Sequence, residues 1–212
     1  MSQINISNLT FSYNGSYDAI FKHVSFCIDT NWKLGFIGRN GRGKTTFLNL
    51  LLGKYAYSGN ISSTVKFEYF PYDVEDKSLY TIEVMKSICT ECMDWEIFRE
   101  ISLLDVQEDA LYRPFNTLSN GEQTKVLLAA LFLTASCFLL IDEPTNHLDI
   151  DARNVVQNYL KRKKGFILVS HDRSLLDQCV DHILSINKTN IEIQKGNFTS
   201  WWENKTLQDN FE

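Results

Sequence analysis

Phe138-Leu139-Leu140-Ile141 and Phe166-Ile167-Leu168-Val169 are apolar at every position, and each run gives way at once to polar residues. Short continuous apolar runs suit strands of a parallel sheet covered on both faces; a half-exposed strand would alternate instead. The stretch between them, Asp151 to Lys164, has a helical pattern, so the three form a strand–helix–strand unit and predict an α/β fold with parallel strands. Nearer the N-terminus, Ile4 to Thr30 alternates and clusters like strands, with Tyr13-Asn14-Gly15-Ser16 as a turn between them. Leu34, Phe36 and Ile37 mark a short apolar strand, and Thr46 to Leu52 reads as a helix. Gly59 to Phe70 predicts two short strands with Val65, Phe67 and Tyr69 on one face. From Leu79 to Tyr112 the pattern becomes helical and more polar, with Ile82, Val84, Met85 and Ile88, then Ile97, Ile101 and Leu104.

We read that segment, 79–112, as a small helical lobe inserted into a main domain made of 1–78 and 113–198. The stretch after it, 199–212, is polar and aromatic and reads as the start of a helix leaving the domain. Val126 to Ile141 is almost wholly apolar but shorter than the roughly 20 residues a bilayer requires. Thr134-Ala135-Ser136 divides it into a helix and then a strand, so buried core is the expectation, with no membrane insertion.

With 212 residues the chain can build one good-sized domain, or one with a small subdomain. A formal net charge of −5 argues against broad, non-specific attraction to nucleic acid. The basic run Lys161-Arg162-Lys163-Lys164 is read as offsetting the negative end of the helix before Gly165. Five scattered cysteines suggest a reducing compartment rather than a disulfide framework. Cys89 and Cys92 form a lone C-x-x-C; two ligands fall short of a tetrahedral metal site, and neighbouring positions on a helix are expected. No basic region followed by an apolar core opens the chain, so a cytoplasmic location is expected.

The candidate chemistry begins at Gly38-Arg39-Asn40-Gly41-Arg42-Gly43-Lys44-Thr45, which fits G-x-x-x-x-G-K-[ST] without a mismatch. It lies between a predicted strand and a predicted helix, the context that pattern requires. Glycines let the backbone curl so that successive N–H groups face phosphate oxygens, and the helix adds the positive end of its dipole. Lys44 is expected to reach the β- and γ-phosphates and the Thr45 hydroxyl to ligate Mg²⁺; Thr46 follows in the same turn. This stretch points to a nucleoside triphosphate.

Asp142 and Glu143 end the first apolar run. An acid at that position can hold Mg²⁺, directly or through water, and the next can polarise a water for in-line attack. As a lone pair they would be read as a solvated strand end; the phosphate loop upstream shifts the reading. Ser119 with Glu122 scores as a capping box for the run that follows, and Ser119, the Gly121 backbone and that helix N-terminus offer a second γ-phosphate surface. His171 directly follows the second run and can hydrogen-bond a γ-phosphate oxygen.

These motifs, in this order, resemble an ATP-binding cassette (ABC) domain. Gly38–Thr45 matches Walker A, Leu118–Gln123 the signature, Cys137–Glu143 Walker B, Leu148-Asp149 the D-loop and His171 the switch histidine. Tyr13 stands where that family places an adenine-stacking ring, with Phe11 as a competitor. The resemblance implies a P-loop NTPase fold with a mostly parallel core sheet, an antiparallel β subdomain and a helical lobe carrying the signature. It also implies ATP and Mg²⁺ as ligands, and a second cassette, in the same chain or as a homodimer, closing head to tail.

Glu143-Pro144-Thr145-Asn146-His147-Leu148-Asp149 and the tail Lys195-Gly196-Asn197-Phe198-Thr199-Ser200-Trp201-Trp202 resemble the ABC-F class, twin-cassette ATPases that work on the ribosome. Arg113-Pro114-Phe115 before the signature is similar to antibiotic-resistance ribosomal protection factors. The ribosome would be met through the linker of the whole protein. The alternative reading is the nucleotide-binding subunit of an ABC transporter. Two departures stand out: Asn120 occupies a position that is usually Gly, and Tyr72 falls where the family has the Q-loop Gln.

Overall fold

The structure, a computed structural model, describes residues 2–38, 41 and 43–211, with side chains of the last helix described as far as Leu207. Arg39, Asn40 and Arg42 of the phosphate loop lie outside the described residues. The strands are β1 (Gln3–Phe11), β2 (Phe21–Asp29), β3 (Lys33–Ile37), β4 (Ser58–Ser63), β5 (Lys66–Phe70), β6 (Cys137–Asp142), β7 (Phe166–Val169), β8 (His182–Asn187) and β9 (Asn190–Lys195). The helices are α1 (Lys44–Leu51), α2 (Thr81–Ile88), α3 (Asp94–Leu103), α4 (Asn120–Leu133), α5 (Ile150–Lys161), α6 (Arg173–Cys179) and α7 (Phe198–Phe211).

Six strands form the main sheet in the order β5-β6-β7-β3-β8-β9, parallel except for β9, which turns back antiparallel to β8. The wholly apolar runs are β6 and β7, set between β5 and β3 and buried on both faces. Their side chains alternate between two cores. Leu139, Ile141, Phe166 and Leu168 join the cluster under α4, α5 and α6, and Phe138, Leu140, Ile167 and Val169 join the one under α1. The second cluster is closed by a three-stranded antiparallel sheet, β2-β1-β4. In β1 the buried positions pass from Ile4 and Ile6 to Leu9 and Phe11, a change of parity. Irregular pairing on both sides of Leu9, with Asn8 at φ 50°, absorbs the extra residue. The expected α/β fold, with a mostly parallel sheet, an antiparallel sheet and a helical segment, is what the chain forms.

Between β5 and β6 lie α2, α3, two short 3₁₀ turns and α4. Helix α3 buries Ile97, Glu100 and Ile101, and the carboxylate among them is tied to α5 and the residues after it by Tyr159 and Lys163. Three local readings are corrected here. Helix α5 stops at Lys161, ahead of the expected Lys164, because the chain turns towards Gly165, at φ 73° with Thr30 O against it. Lys163 therefore pairs with Glu100 instead of complementing the helix end. Cys89 and Cys92 are not neighbours on a helix: α2 ends at Ile88, and the two sulfurs are bonded to each other across the turn before α3. Among the described residues there is thus one disulfide, where the cysteine count had suggested a reducing compartment rather than a disulfide framework.

Candidate nucleotide site

The candidate residues meet because they follow neighbouring strands. The phosphate loop leaves β3, Asp142 and Glu143 end β6, and His171 follows β7, which lies between those two strands. In an open parallel sheet the carboxyl ends of adjacent strands form the crevice where ligands sit. Val169 pairs with Phe36 on one side and Asp142 on the other, which brings the three loops level.

Helix α1 starts at Lys44 with Gly43 as its N-cap, at φ 105° and with no side-chain cap. The first N–H groups of the helix, normally satisfied by a capping side chain, face the loop. Gly43 must be glycine, since a Cβ would stand 2.7 Å from Ile20 Cγ2 in a backbone region that L-residues avoid. Gly41, at φ 75°, has open space around it. Lys44 Nζ donates to Gly38 O at 2.7 Å and so lies back across the loop. Burial lowers the Lys44 pKa, while attraction to Glu143 and Asp142 opposes that shift, so the ammonium sits in the field of both carboxylates. Thr45 is exposed in the first turn, and Thr46 is buried beneath it.

Asp142 is half-buried, and its Oδ2 accepts a 3.0 Å hydrogen bond from the Tyr69 hydroxyl. Burial, and then the Asp142 charge, push the Tyr69 pKa up, which keeps the phenol a donor. Glu143 has the left-handed backbone at φ 50°, and its N–H is fixed by Val169 O at 2.9 Å. A non-glycine residue in that region costs energy, and it turns the carboxylate into the crevice. His171 N donates to Glu143 Oε2 at 3.4 Å. Oε1 is buried with no hydrogen-bond partner among the described residues; the His171 Nε2 stands 3.4 Å away, outside hydrogen-bond geometry. Burial raises the Glu143 pKa, the Asp142 charge adds to this, and His171 and Lys44 oppose it. His171 itself is exposed, and Asp172 beside it caps α6 through Leu175 N at 3.1 Å.

Tyr13 is 42 % exposed, and its hydroxyl shares a 2.7 Å hydrogen bond with Thr46 Oγ1. Phe11 is 5 % exposed and packs edge-on against Tyr13 at 5.0 Å, so Tyr13 presents the more exposed ring of the two. Tyr55 completes the cluster, stacked on Phe11 at 5.4 Å. A cavity of about 870 Å³ runs from Gly38, Lys44 and His171 to Trp201 and Trp202 of α7.

Ser119 and Gly121 stand apart from this crevice. Ser119 is the N-cap of α4 in a closed capping box with Glu122, and Gly121 faces Leu148 and Ala152. Among the described residues neither is hydrogen-bonded to the loop 38–45. Leu148 lies beside Asp149, which caps α5 through Ala152 N at 2.7 Å. Tyr72 is half-buried against the core under α4. Sequence reasoning did not find Tyr69 or Tyr55: each needs a partner from another part of the fold.

Cationic lysine, an uncapped helix, a hydroxyl and two carboxylates, one with an unsatisfied buried oxygen, make a donor and acceptor set suited to a polyphosphate with a hard divalent cation. A family model described as ABC transporter matches residues 21–146. The chain belongs to that family. Among its curated relatives, the "ABC transporter F family member 5" of Arabidopsis thaliana is 27% identical over 95% of this chain and 30% of the relative. The "Ribosome protection protein VmlR" of Bacillus subtilis is 30% identical over 90% of this chain and 35% of the relative. This ABC chain spans about a third of the length of the curated relatives it matches. A solved structure titled as a putative metal-chelate type ABC transporter has the same fold, with a TM-score of 0.76 over 92% of this chain and 84% of that one, at 20% identity. No helix among the described residues is long and apolar enough to cross a membrane.

Proposed function

We propose that this chain is an ATP-binding, ATP-hydrolysing cassette of an ABC-F protein that acts on the ribosome, as a translation factor or in protection against antibiotics. The observation that carries the ATPase reading is the convergence of Lys44, Asp142, Glu143 and His171 on one crevice, at the ends of three adjacent parallel strands. The class rests on the 146–149 loop, the Gly196-Asn197-Phe198 tail and the similarity to an F family member and a ribosome protection protein.

In this reading the loop 38–45, Arg39, Asn40 and Arg42 included, wraps the phosphates with backbone N–H groups. Lys44 leaves Gly38 O for the β/γ oxygens, and Tyr13 stacks on the adenine. Thr45 and Asp142 would hold Mg²⁺, which supplies neutralising charge at the phosphates. Glu143 Oε1 accepts a proton from the attacking water, and His171 hydrogen-bonds the γ-phosphate. Ser119 is exposed and, like Gly121, makes no hydrogen bond to this chain's own loop 38–45 among the described residues, which supports a role for both on the nucleotide of a second, head-to-tail cassette. The segment 79–112 serves as the inserted helical lobe, 1–78 with 113–198 as the ATPase core that contains Ser119 and Gly121, and 199–212 as the start of the interdomain linker through which the whole protein meets the ribosome, in the cytoplasm.

Calorimetry with MgATP tests the core of this reading. The chain should give a saturable heat that Lys44→Ala abolishes, with slow phosphate release that rises when a second cassette is supplied. A folded chain that shows no saturable heat would overturn it. Co-sedimentation of the Glu143→Gln form of the whole protein with ribosomes, with and without ATP, tests the class.

A further inference from the structure

We propose that Tyr69 is a positioning residue for the divalent cation that accompanies ATP, acting through Asp142. The inference deepens the ATPase reading and rests on it. Strands β5 and β6 run parallel with Tyr69 opposite Leu140, so the long phenol reaches forward along the sheet to the residue that ends β6. In β6 the row Phe138, Leu140, Asp142 points to the side of the sheet that carries α1, and Tyr69 packs on that same side. Asp142 is thereby aimed at the helix whose first residues are Lys44 and Thr45. The 3.0 Å bond from the Tyr69 hydroxyl occupies Oδ2 and fixes the carboxylate's rotation about its last bond.

Position 72 is where the family resemblance places a glutamine, and here it holds a tyrosine turned against the core under α4. The polar contact to the metal-side carboxylate comes from Tyr69, three positions earlier. Outer partners of this kind orient a ligand, and losing them typically weakens metal binding by about 10- to 100-fold. Lys54 Nζ lies 5.6 Å over the Tyr69 ring and offers a control that leaves the hydroxyl in place.

The experiment measures ATP binding by calorimetry in EDTA and then across a Mg²⁺ titration at fixed ATP, in the wild type, Tyr69→Phe and Lys54→Met. Tyr69→Phe should leave metal-free ATP affinity and the melting temperature near wild type, while the Mg²⁺ half-saturation rises roughly tenfold. Lys54→Met should leave it unchanged. In an Asp142→Asn background, Tyr69→Phe should add no further shift. An unchanged half-saturation in Tyr69→Phe overturns the inference, as does an equal shift in Lys54→Met, which would make the effect one of packing. If the wild-type chain binds no ATP at all, the ATPase reading falls and takes this inference with it.

Discussion

The Tyr159 hydroxyl of α5 donates a 2.5 Å hydrogen bond to Glu100 of α3, a carboxylate only 1 % exposed. Lys163 Nζ reaches the same oxygen at 2.5 Å, and Arg99 meets the other at 3.2 Å. This cluster joins the helical segment to the helix that follows the Leu148-Asp149 loop. Because Lys163 retains little solvent contact, Glu100→Gln leaves a cation without its counter-charge. Removing one partner of a buried pair costs about 3–5 kcal/mol, and the partial exposure of Lys163 sets the expectation near 3. Urea denaturation at neutral pH checks it.

The same carboxylate gives a pH dependence with a definite sign. Burial alone would raise the Glu100 pKa, but hydrogen bonds from Lys163 and Tyr159, with the Lys163 charge, outweigh it and hold the pKa below the ordinary 4.5. A depressed folded-state pKa stabilises the fold fully above the unfolded value, and that stability is lost as pH falls through the folded one. Denaturation curves from pH 7 to pH 3 should therefore show the gap between wild type and Glu100→Gln narrowing below about pH 4.5. A gap of constant width would contradict the assignment of charge to Glu100.

Glu100 also shows what could be read in advance. It lies beside Ile97, Ile101 and Leu104, which the sequence shows at helical spacing and the fold buries. A carboxylate among them requires a cation, and Lys163 was in view; only the pairing needed the fold. The central strands and the phosphate loop were legible because a wholly apolar run and G-x-x-x-x-G-K-T each depend on local residues alone. Tyr69 was not, since its contact with Asp142 depends on which strand pairs with β5 and in what register. The Cys89–Cys92 bond was missed for a related reason. The spacing fits one helix face, but α2 gives out at Ile88, before two poor helix formers, and the turn brings the sulfurs together.

Gly121 is a glycine the fold does not require. A Cβ there would sit 3.7 Å from Leu148 Cδ2 and 4.0 Å from Ala152 Cβ, ordinary contacts, and its φ is not positive. Gly121→Ala should keep or slightly raise the melting temperature, because alanine favours a helix by up to about 1 kcal/mol. If the position faces the partner's γ-phosphate, hydrolysis by the paired cassettes should nevertheless fall. Ser119→Ala should lose both, with about 1 kcal/mol of stability going with the cap. Melting curves beside phosphate-release assays separate the two variants.

Tyr13→Ala removes the exposed ring and should weaken ATP binding by about 0.5–1.5 kcal/mol. Binding of inorganic tripolyphosphate, which has no base to stack, should stay unchanged. Tyr13→Phe keeps the ring and loses only the hydrogen bond to Thr46, so it should bind ATP nearly as the wild type does. Equal losses for both ligands in Tyr13→Ala would place the ring's contribution in the loop's structure and away from the base.

Glu143→Gln keeps the side-chain shape and removes the acceptor that the proposed chemistry uses. Proton transfer by a placed side chain contributes about 10²- to 10⁴-fold, so single-turnover hydrolysis should fall at least about 100-fold while ATP affinity persists. The variant should also be more stable than the wild type without ligand at pH 7. The Glu143 pKa is raised, mainly by burial, so the ionised form is the one the fold disfavours, and an amide does not carry that penalty. With hydrolysis blocked and the carboxylate's charge gone from beside the phosphates, MgATP should hold two cassettes together, and size exclusion at saturating MgATP should show a dimer. A monomer under those conditions, with ATP bound, would mean that Ser119 and Gly121 do not serve a facing cassette in this chain.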